Sequence, residues 1–138
     1  MSKDIAVIEL DLNPSALNVA KAMSKSKVGA VIVLKGGKPV GMITERDLLK
    51  KVSAKNKKPD DVSAKSIMSS PLVTIKAFDS VDTAAKVMSK HGIKRLPVVE
   101  DDGSLAGMLS VSDFAKKLAK ILTDDYNRYR SLKATLDL

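Results

Sequence analysis

Two short segments place a hydroxyl group three residues ahead of a carboxylate: Thr44 precedes Asp47, and Ser110 precedes Asp113. At the start of a helix this spacing is a capping box, because the two side chains satisfy backbone N–H groups that the helix leaves open. A carboxylate where a strand turns into a helix can also accept both hydroxyls of a ribose. Nearby hydroxyl and N–H groups can receive a phosphate. Capping explains both segments and does not exclude a ligand, so both roles stay open.

The two segments are parts of an internal repeat. Residues 41–48 return as residues 107–114, 66 positions later, and residues 20–23 return as 85–88, 65 positions later. A unit of this length is too long for one turn of a solenoid and fits a small supersecondary structure. Two copies predict a pseudo-twofold pair with a groove between its halves, and we expect function to lie in that groove.

Each copy is predicted to fold in the order β-α-β-β-α. Apolar and β-branched runs predict strands at 5–10, 28–34, 40–43, 72–75, 96–99 and 105–109. Four helices are expected to begin at Asn13, Thr44, Asp79-Ser80 and Ser110. Asn13 is the expected cap of the first helix. The third helix carries Val81, Ala84, Ala85 and Met88 as its apolar members, and Gly92 ends it.

The repeat divides the chain into a first repeat (1–55), a linker (56–65), a second repeat (66–120) and a C-terminal helical extension (121–138). Lysines crowd residues 50–58, which we interpret as a solvated segment. Apolar residues continue at a helical spacing from Phe114 almost to the C-terminus. This extra length either folds back on its own repeat or contacts a second copy or partner, and the spacing does not decide between them.

The composition limits the chemistry that the chain can perform. It has 138 residues, of which 44% are hydrophobic, with one histidine and no cysteine. Disulfides, thiolate metal sites and cysteine nucleophiles are thereby excluded. The sequence has no metal-ligand cluster, Gly-rich phosphate loop or nucleophile with an evident base, so we expect a non-catalytic protein without a metal site. No apolar stretch reaches the ~20 residues of a membrane helix, and the N-terminus lacks a signal peptide. We expect a cytoplasmic protein with no membrane partner.

The formal net charge of +8 favours anionic partners, namely nucleotides, nucleic acid or acidic proteins. Arg46, His91, Lys94 and Arg95 are the cations nearest the repeated motifs. Arg95 precedes a strand and could make a bidentate contact with phosphate in the groove, whereas His91 suits the end of a helix and is interpreted as structural. A nucleotide sensor and a basic scaffold that binds nucleic acid are the two functions left open by this charge.

The second copy resembles a cystathionine-β-synthase (CBS) domain through Ile93–Val99, an acidic turn with a glycine, and Gly107–Phe114. The first copy is similar to that family through Val28–Val33 and Gly41–Leu49, and Ile67–Ile75 is similar to the usual start of such a repeat. The resemblance implies an α/β fold of two pseudo-twofold-related repeats forming one CBS pair, or Bateman module, with the C-terminal helix as an extension. It also implies a homodimer that binds AMP, ADP, ATP or S-adenosylmethionine, requires no cofactor, and signals to a downstream protein by a conformational change, as an energy sensor does.

The resemblance further implies two pockets, each built from both repeats. In one, the residues that hold ribose and phosphate oxygens are Thr44, Arg46 and Asp47, and the adenine wall is Ser70, Ile75, Ile93 and Pro97. In the other, the residues that face the sugar are Ser110, Ser112 and Asp113, and the wall is Ile5, Leu10, Val28 and Gly29. The phosphate candidates are Lys94 and Arg95. By the 65-residue offset, Met68–Pro71 aligns with Lys3–Ala6, where the first copy departs from the motif.

Overall fold

Two three-stranded sheets of the same topology form the framework of the protein, a computed structural model in which residues 5–113, 115, 116, 119, 120 and 123 are described. The strands are β1 (Ala6–Glu9), β2 (Ala30–Lys35), β3 (Lys38–Thr44), β4 (Ile75–Lys76), β5 (Arg95–Val99) and β6 (Leu105–Ser110). The helices are α1 (Ala16–Ser26), α2 (Glu45–Lys51), α3 (Ala64–Ile67) and α4 (Val81–His91). Short 3₁₀ turns span Leu10–Leu12, Ser53–Lys55 and Pro59–Asp61, and a last helix begins at Val111. This element order confirms the predicted pair of α/β repeats.

The middle strand of each sheet has one parallel and one antiparallel neighbour. β2 pairs in parallel with β1 and antiparallel with β3, and β5 pairs in the same way with β4 and β6. The register shifts at the same place in both hairpins, between Val33 and Leu34 and between Val98 and Val99. A middle strand has its neighbours on both edges and packs on both faces, which is why β2 has an unbroken apolar sequence.

The offset of 65 residues between the two copies does not hold in the first strand of each repeat. Ile8 pairs with Val33, and Ile75 pairs with Val98. Because Val33 and Val98 are equivalent, the counterpart of Ile75 is Ile8, at an offset of 67 residues. The chain leaves the strand before Leu10 and makes a 3₁₀ turn, which lengthens the connection to α1 by two residues relative to the second repeat. The expected strand over 5–10 is therefore too long.

The predicted helix cap is correct at α4 and wrong at α1. Ser15 caps α1, because its Oγ accepts from the Asn18 N–H at 3.2 Å while Asn18 Oδ1 accepts from the Ser15 N–H at 2.9 Å. Asn13, the expected cap, instead ends the preceding 3₁₀ turn with a φ of 48°, a left-handed conformation that asparagine tolerates. Ser80 caps α4 and Gly92 ends it with a φ of 62°, as predicted.

Successive side chains of β2 point to opposite faces of the sheet, which divides the core into two layers. Val31 and Val33 belong to the cluster that packs with α1 and α2. Ala30 and Ile32 point to the other face and pack with Met108 of the second sheet. We call this second set, Ala30, Ile32 and Met108, the inter-repeat cluster. Burying a large aliphatic side chain stabilises a fold by about 1.5–3 kcal/mol, so this cluster joins the repeats and fixes the walls between them.

The core of the second repeat lies between α4 and its sheet. Ala84 and Met88 of α4 pack with Leu96 and other apolar residues of β4 and β5. Val81, expected on the apolar face of α4, is 68% exposed. It is the first residue of the helix, and the residues of α4 that are buried against the sheet begin one turn later, at Ala84.

The predicted linker packs its backbone onto α1. The Ala16 N–H donates to the Val62 carbonyl at 2.7 Å, and the Ala64 N–H donates to the Pro14 carbonyl at 2.8 Å. Val62 and Ala64 are buried, whereas the lysines at 50, 55, 57 and 58 are exposed. The charged side chains are thus solvated, as interpreted, on a segment whose backbone is tied to the first repeat.

The predicted C-terminal extension, 121–138, lies outside the described residues except for Thr123. Phe114 and Leu118, which belong to the predicted apolar spacing, also lie outside them. The extension therefore stays a prediction. Within the described part of the chain, no helix combines the length and the apolar composition required to span a membrane.

Candidate ligand-binding site

A cavity of about 300 Å³ lies between the two repeats, where β2 and β5 begin and β6 ends. The first repeat lines it with Ile5, Val28, Gly29 and Ala30, and the second with Lys94, Arg95, Met108, Ser110, Val111 and Ser112. We call it the Ser110 cavity. Its volume falls at the lower end of the range of about 300–1,000 Å³ that small-molecule sites occupy.

The polar corner of the Ser110 cavity is the start of the last helix. The Ser110 N–H and Oγ both donate to Asp113 Oδ2 at 2.9 Å, and the Asp113 N–H donates back to Ser110 Oγ at 3.2 Å. Ser112 Oγ lies 2.8 Å from Ser110 Oγ. The capping box is therefore formed, and it holds two hydroxyl groups at the wall of the cavity with a half-buried carboxylate bonded to one of them.

The opposite wall is apolar and belongs mostly to the first repeat. The Val28 N–H donates to the Met23 carbonyl at 3.1 Å, where α1 ends, and the Glu45 N–H donates to the Gly29 carbonyl at 3.1 Å, where α2 begins. These two bonds fix the path of residues 28–29 past the cavity. Ala30 and Met108, both buried in the inter-repeat cluster, complete the wall. A flat apolar surface with backbone groups at its edge suits a heterocyclic base.

Two cations border the same space. Lys94 is exposed, and its carbonyl accepts from the Val111 N–H at 2.9 Å. Arg95 is half-buried, and its Nη2 lies 2.9 Å from the position that a Cβ on Gly29 would occupy. The arginine side chain therefore reaches from the second repeat to the backbone of the first. Among the described residues that line the cavity, these two are the charged ones, so the local potential favours an anionic group.

The equivalent corner of the first repeat has the same capping box and a further ion pair. The Thr44 N–H donates to Asp47 Oδ2 at 2.8 Å, and the Asp47 N–H donates to Thr44 Oγ1 at 3.4 Å. Asp47 Oδ1 lies 3.0 Å from Lys51 Nζ, which also donates to the Ile67 carbonyl at 2.9 Å. Both carboxylate oxygens of Asp47 are thus engaged within the first repeat, where they tie α2 to α3. The corresponding lysine of the second repeat, Lys117, lies outside the described residues.

Comparison with known proteins identifies the repeats. The profile of the CBS domain matches residues 1–54 and 64–120. The chain belongs to the CBS domain family. An uncharacterised protein of Methanopyrus kandleri is 40% identical to it over 100 residues, which are 72% of this chain and 51% of that protein. The chain thus spans about half the length of this relative.

Solved CBS structures match most of the chain. A CBS domain protein from Pyrobaculum aerophilum, complexed with AMP, aligns with a TM-score of 0.73 and 28% identity, covering 82% of this chain and 85% of that one. The CBS domain pair of protein MJ0100, in complex with 5′-methylthioadenosine and S-adenosyl-L-methionine, aligns with a TM-score of 0.73 and 30% identity, covering 85% and 93%. The repeats described above therefore have the arrangement of a CBS pair.

The CBS pair brings one group of predicted site residues together and disperses another. The Ser110 cavity is lined by Ile5, Val28, Gly29, Lys94, Arg95, Ser110 and Ser112. Ser70 lines a separate cavity of about 450 Å³ next to the hairpin turns. Leu10 packs against the core of the first repeat and Ile75 and Ile93 pack in the core of the second, while the Pro97 side chain is fully buried in β5. Arg46 and His91 are exposed on α2 and at the end of α4. The ligand roles of all these residues stay predictions.

Three residues line the Ser110 cavity without having been predicted from the sequence: Ala30, Met108 and Val111. Small and apolar side chains carry no chemical signal of their own. Ala30 nevertheless begins β2 just as Arg95 begins β5. Arg95 is a predicted site residue, and a strand-by-strand alignment of the two copies places Ala30 at the equivalent position. That alignment is therefore the signal that could have identified Ala30.

Proposed function

We propose that this CBS pair is a non-catalytic regulatory module that binds an adenosine-containing ligand in the Ser110 cavity. The observation that carries the proposal is one cavity with walls from both repeats, combining an apolar face, two hydroxyl groups and two cations. The matched structures hold AMP in one case and 5′-methylthioadenosine with S-adenosyl-L-methionine in the other. Adenosine is the part common to these ligands, and it has the flat base and the sugar diol that such a cavity accommodates.

Each part of the ligand has a proposed partner. The adenine ring lies against the apolar side chains of Ile5 and Val28. The ribose hydroxyls donate to the carboxylate of Asp113, which Ser110 holds in place through its N–H and hydroxyl groups. A 5′-phosphate lies towards Lys94 and Arg95, whose charges offset its own.

Regulation follows from the position of the ligand between the repeats. A ligand that contacts both repeats binds best at one relative arrangement of them, and it shifts their equilibrium only by its difference in affinity for the two arrangements. We propose that the chain acts in the cytoplasm as a homodimer and passes this change to a downstream protein.

Isothermal titration calorimetry tests this function directly. The chain is titrated with AMP, ATP, 5′-methylthioadenosine and S-adenosylmethionine, and with a short duplex DNA at low and high salt. We expect saturable binding of at least one adenosine compound. Absence of binding to all four, together with DNA affinity that falls steeply with salt, would refute the proposal in favour of a basic scaffold that binds nucleic acid.

A further inference from the structure

A lysine-rich segment runs from the end of α2 into α3 and carries much of the positive charge of the chain. Residues 50–66, which we call the basic segment, contain six lysines and two aspartates, a net charge of +4 out of the formal +8 of the whole chain. All of these lysines except Lys51 are exposed. Crowded like charges destabilise a compact fold, so the fold itself gains nothing from this density of charge.

Most of these charges are not neutralised within the described part of the chain. Among the described residues, Lys51 is the one lysine of the segment that forms an ion pair, with Asp47 at 3.0 Å. The two aspartates of the segment, Asp60 and Asp61, belong to no described ion pair. At about 0.15 M salt the Debye length is about 8 Å, so neighbouring lysines act together on an approaching anion.

The backbone that carries these lysines has a fixed path. The Lys57 N–H donates to the Val52 carbonyl at 3.1 Å, and the Asp61 N–H donates to the Lys58 carbonyl at 3.0 Å. The buried Val62 ties the segment to α1 through its carbonyl. A partner therefore meets a pre-formed surface, and its binding orders side chains but not the backbone.

A cavity of about 650 Å³ opens on the basic segment, and its lining includes Lys57, Lys58, Asp61, Ser63 and Ser66. Ser63 Oγ accepts from the Ser66 N–H at 3.2 Å and has a hydrogen of its own to donate. The cavity thus offers ammonium and hydroxyl donors to an anion.

The composition of the basic segment favours carboxylates over phosphates as that anion. Residues 50–66 contain no arginine and no aromatic residue. They lack the bidentate fork that suits phosphate and the rings on which bases stack. Asp61 in the cavity wall would repel a uniformly charged phosphate backbone, whereas an acidic peptide can place an uncharged residue there.

We infer that the basic segment is the docking surface for an acidic segment of a partner protein, in which Glu or Asp residues alternate with uncharged ones. This inference deepens the proposed function, since it rests on the existence of a downstream protein and assigns the surface that receives it. The first residue of α2, Glu45, bonds the Gly29 carbonyl at the wall of the Ser110 cavity, and the last, Lys51, belongs to the basic segment. α2 therefore joins the ligand cavity to the docking surface.

Fluorescence anisotropy of a labelled peptide of alternating Glu and Ser tests the inference, at about 0.15 M salt and without any nucleotide. Two variants lose the same number of exposed positive charges. The segment variant combines Lys50→Gln, Lys55→Gln, Lys57→Gln and Lys58→Gln. The control variant combines Lys25→Gln, Lys35→Gln, Lys86→Gln and Lys90→Gln. We expect the dissociation constant to rise at least about fivefold in the segment variant and to stay within about twofold of the native value in the control.

The other results overturn the inference. Equal losses in the two variants would show attraction by net charge alone, and absence of saturable binding to the native chain would show that the surface does not dock such a peptide. Tighter binding of duplex DNA than of the peptide, lost in the segment variant, would make the segment a nucleic-acid surface instead. If urea unfolding shows that the segment variant does not fold, Lys57→Gln with Lys58→Gln takes its place, against Lys25→Gln with Lys90→Gln.

The nucleotide titration fails or succeeds separately. Adenosine binding without peptide binding overturns this inference alone. Peptide binding without adenosine binding overturns the proposed ligand and leaves the docking surface in place.

Discussion

Replacing Asp113 by asparagine separates the capping role of this residue from its proposed role in binding. An asparagine already closes a capping box in this molecule, since Asn18 Oδ1 accepts from the Ser15 N–H at 2.9 Å in α1. Asp113→Asn is therefore expected to keep the bonds with Ser110 and to lose only the charge at the helix start, which contributes about 0.3–1 kcal/mol. A ribose hydroxyl would lose a hydrogen bond to a charged acceptor, which contributes about 1.5–3 kcal/mol.

This difference predicts a change in affinity much larger than the change in stability. The dissociation constant for AMP is expected to rise about 10- to 150-fold, since about 1.4 kcal/mol corresponds to a factor of ten. Asp47→Asn is the matched control, because it alters the equivalent capping box of the first repeat, whose residues do not line the Ser110 cavity. It also weakens the 3.0 Å ion pair with Lys51, a partly exposed pair that contributes about 1 kcal/mol or less, and it is expected to leave the affinity unchanged. Calorimetry and urea unfolding measure the two effects. An affinity of Asp113→Asn within about twofold of the native value would show that Asp113 only caps its helix.

Three further results are expected. A Cβ at Gly41 would collide with Met68 Sδ and lie 3.0 Å from its Cγ, so Gly41→Ala should lower the free energy of unfolding by about 1–3 kcal/mol, with partial recovery in the double variant with Met68→Ala. Lys94→Gln should weaken AMP binding about two- to fivefold, as an exposed charge does, and leave 5′-methylthioadenosine binding unchanged in calorimetry. Hydrogen bonds from the Ser104 hydroxyl and N–H lower the pKa of Asp102. Its carboxylate therefore stabilises the fold above its unfolded pKa, and this contribution is lost as the pH falls below about 4. Urea unfolding of Asp102→Asn should show a weaker dependence on pH there, and an unchanged slope would contradict the assignment.

Sequence reasoning succeeded where the determining forces are local. The run of β-branched residues in β2 predicts a strand buried on both faces, because such residues favour strands and an unbroken apolar run has no face for water. Ser80 and Gly92 mark the two ends of α4 through the bonds that they make with adjacent backbone groups. The repeat itself then fixed the order of the elements in the second copy.

Sequence reasoning failed where one copy departs from the other without a change in residue type. The first strand was predicted to run through Leu10, but a 3₁₀ turn begins there and lengthens the connection to α1. The Leu10 side chain packs against the core of the first repeat, and its role at the wall of a pocket stays a prediction. Two extra residues of ordinary composition leave no signal in a single sequence. The strand register, which shows that Ile8 is the counterpart of Ile75, is seen only in the folded sheet.

The direction taken by Arg95 was beyond prediction for another reason. Its position before a strand indicates that it can reach the groove, but a single sequence does not show which residue it contacts there. In the structure, the Arg95 side chain of the second repeat reaches Gly29 of the first. This contact depends on how the two sheets face each other across the inter-repeat cluster.

The two equivalent hydroxyl–carboxylate motifs have different surroundings in the two repeats. In the first repeat, Lys51 binds both the Asp47 carboxylate and the Ile67 carbonyl and so holds α3 against α2. At the Ser110 cavity, the corresponding motif borders open space whose wall includes Ala30 and Met108 of the inter-repeat cluster. A ligand there contacts the residues that join the repeats, so its affinity depends on their separation.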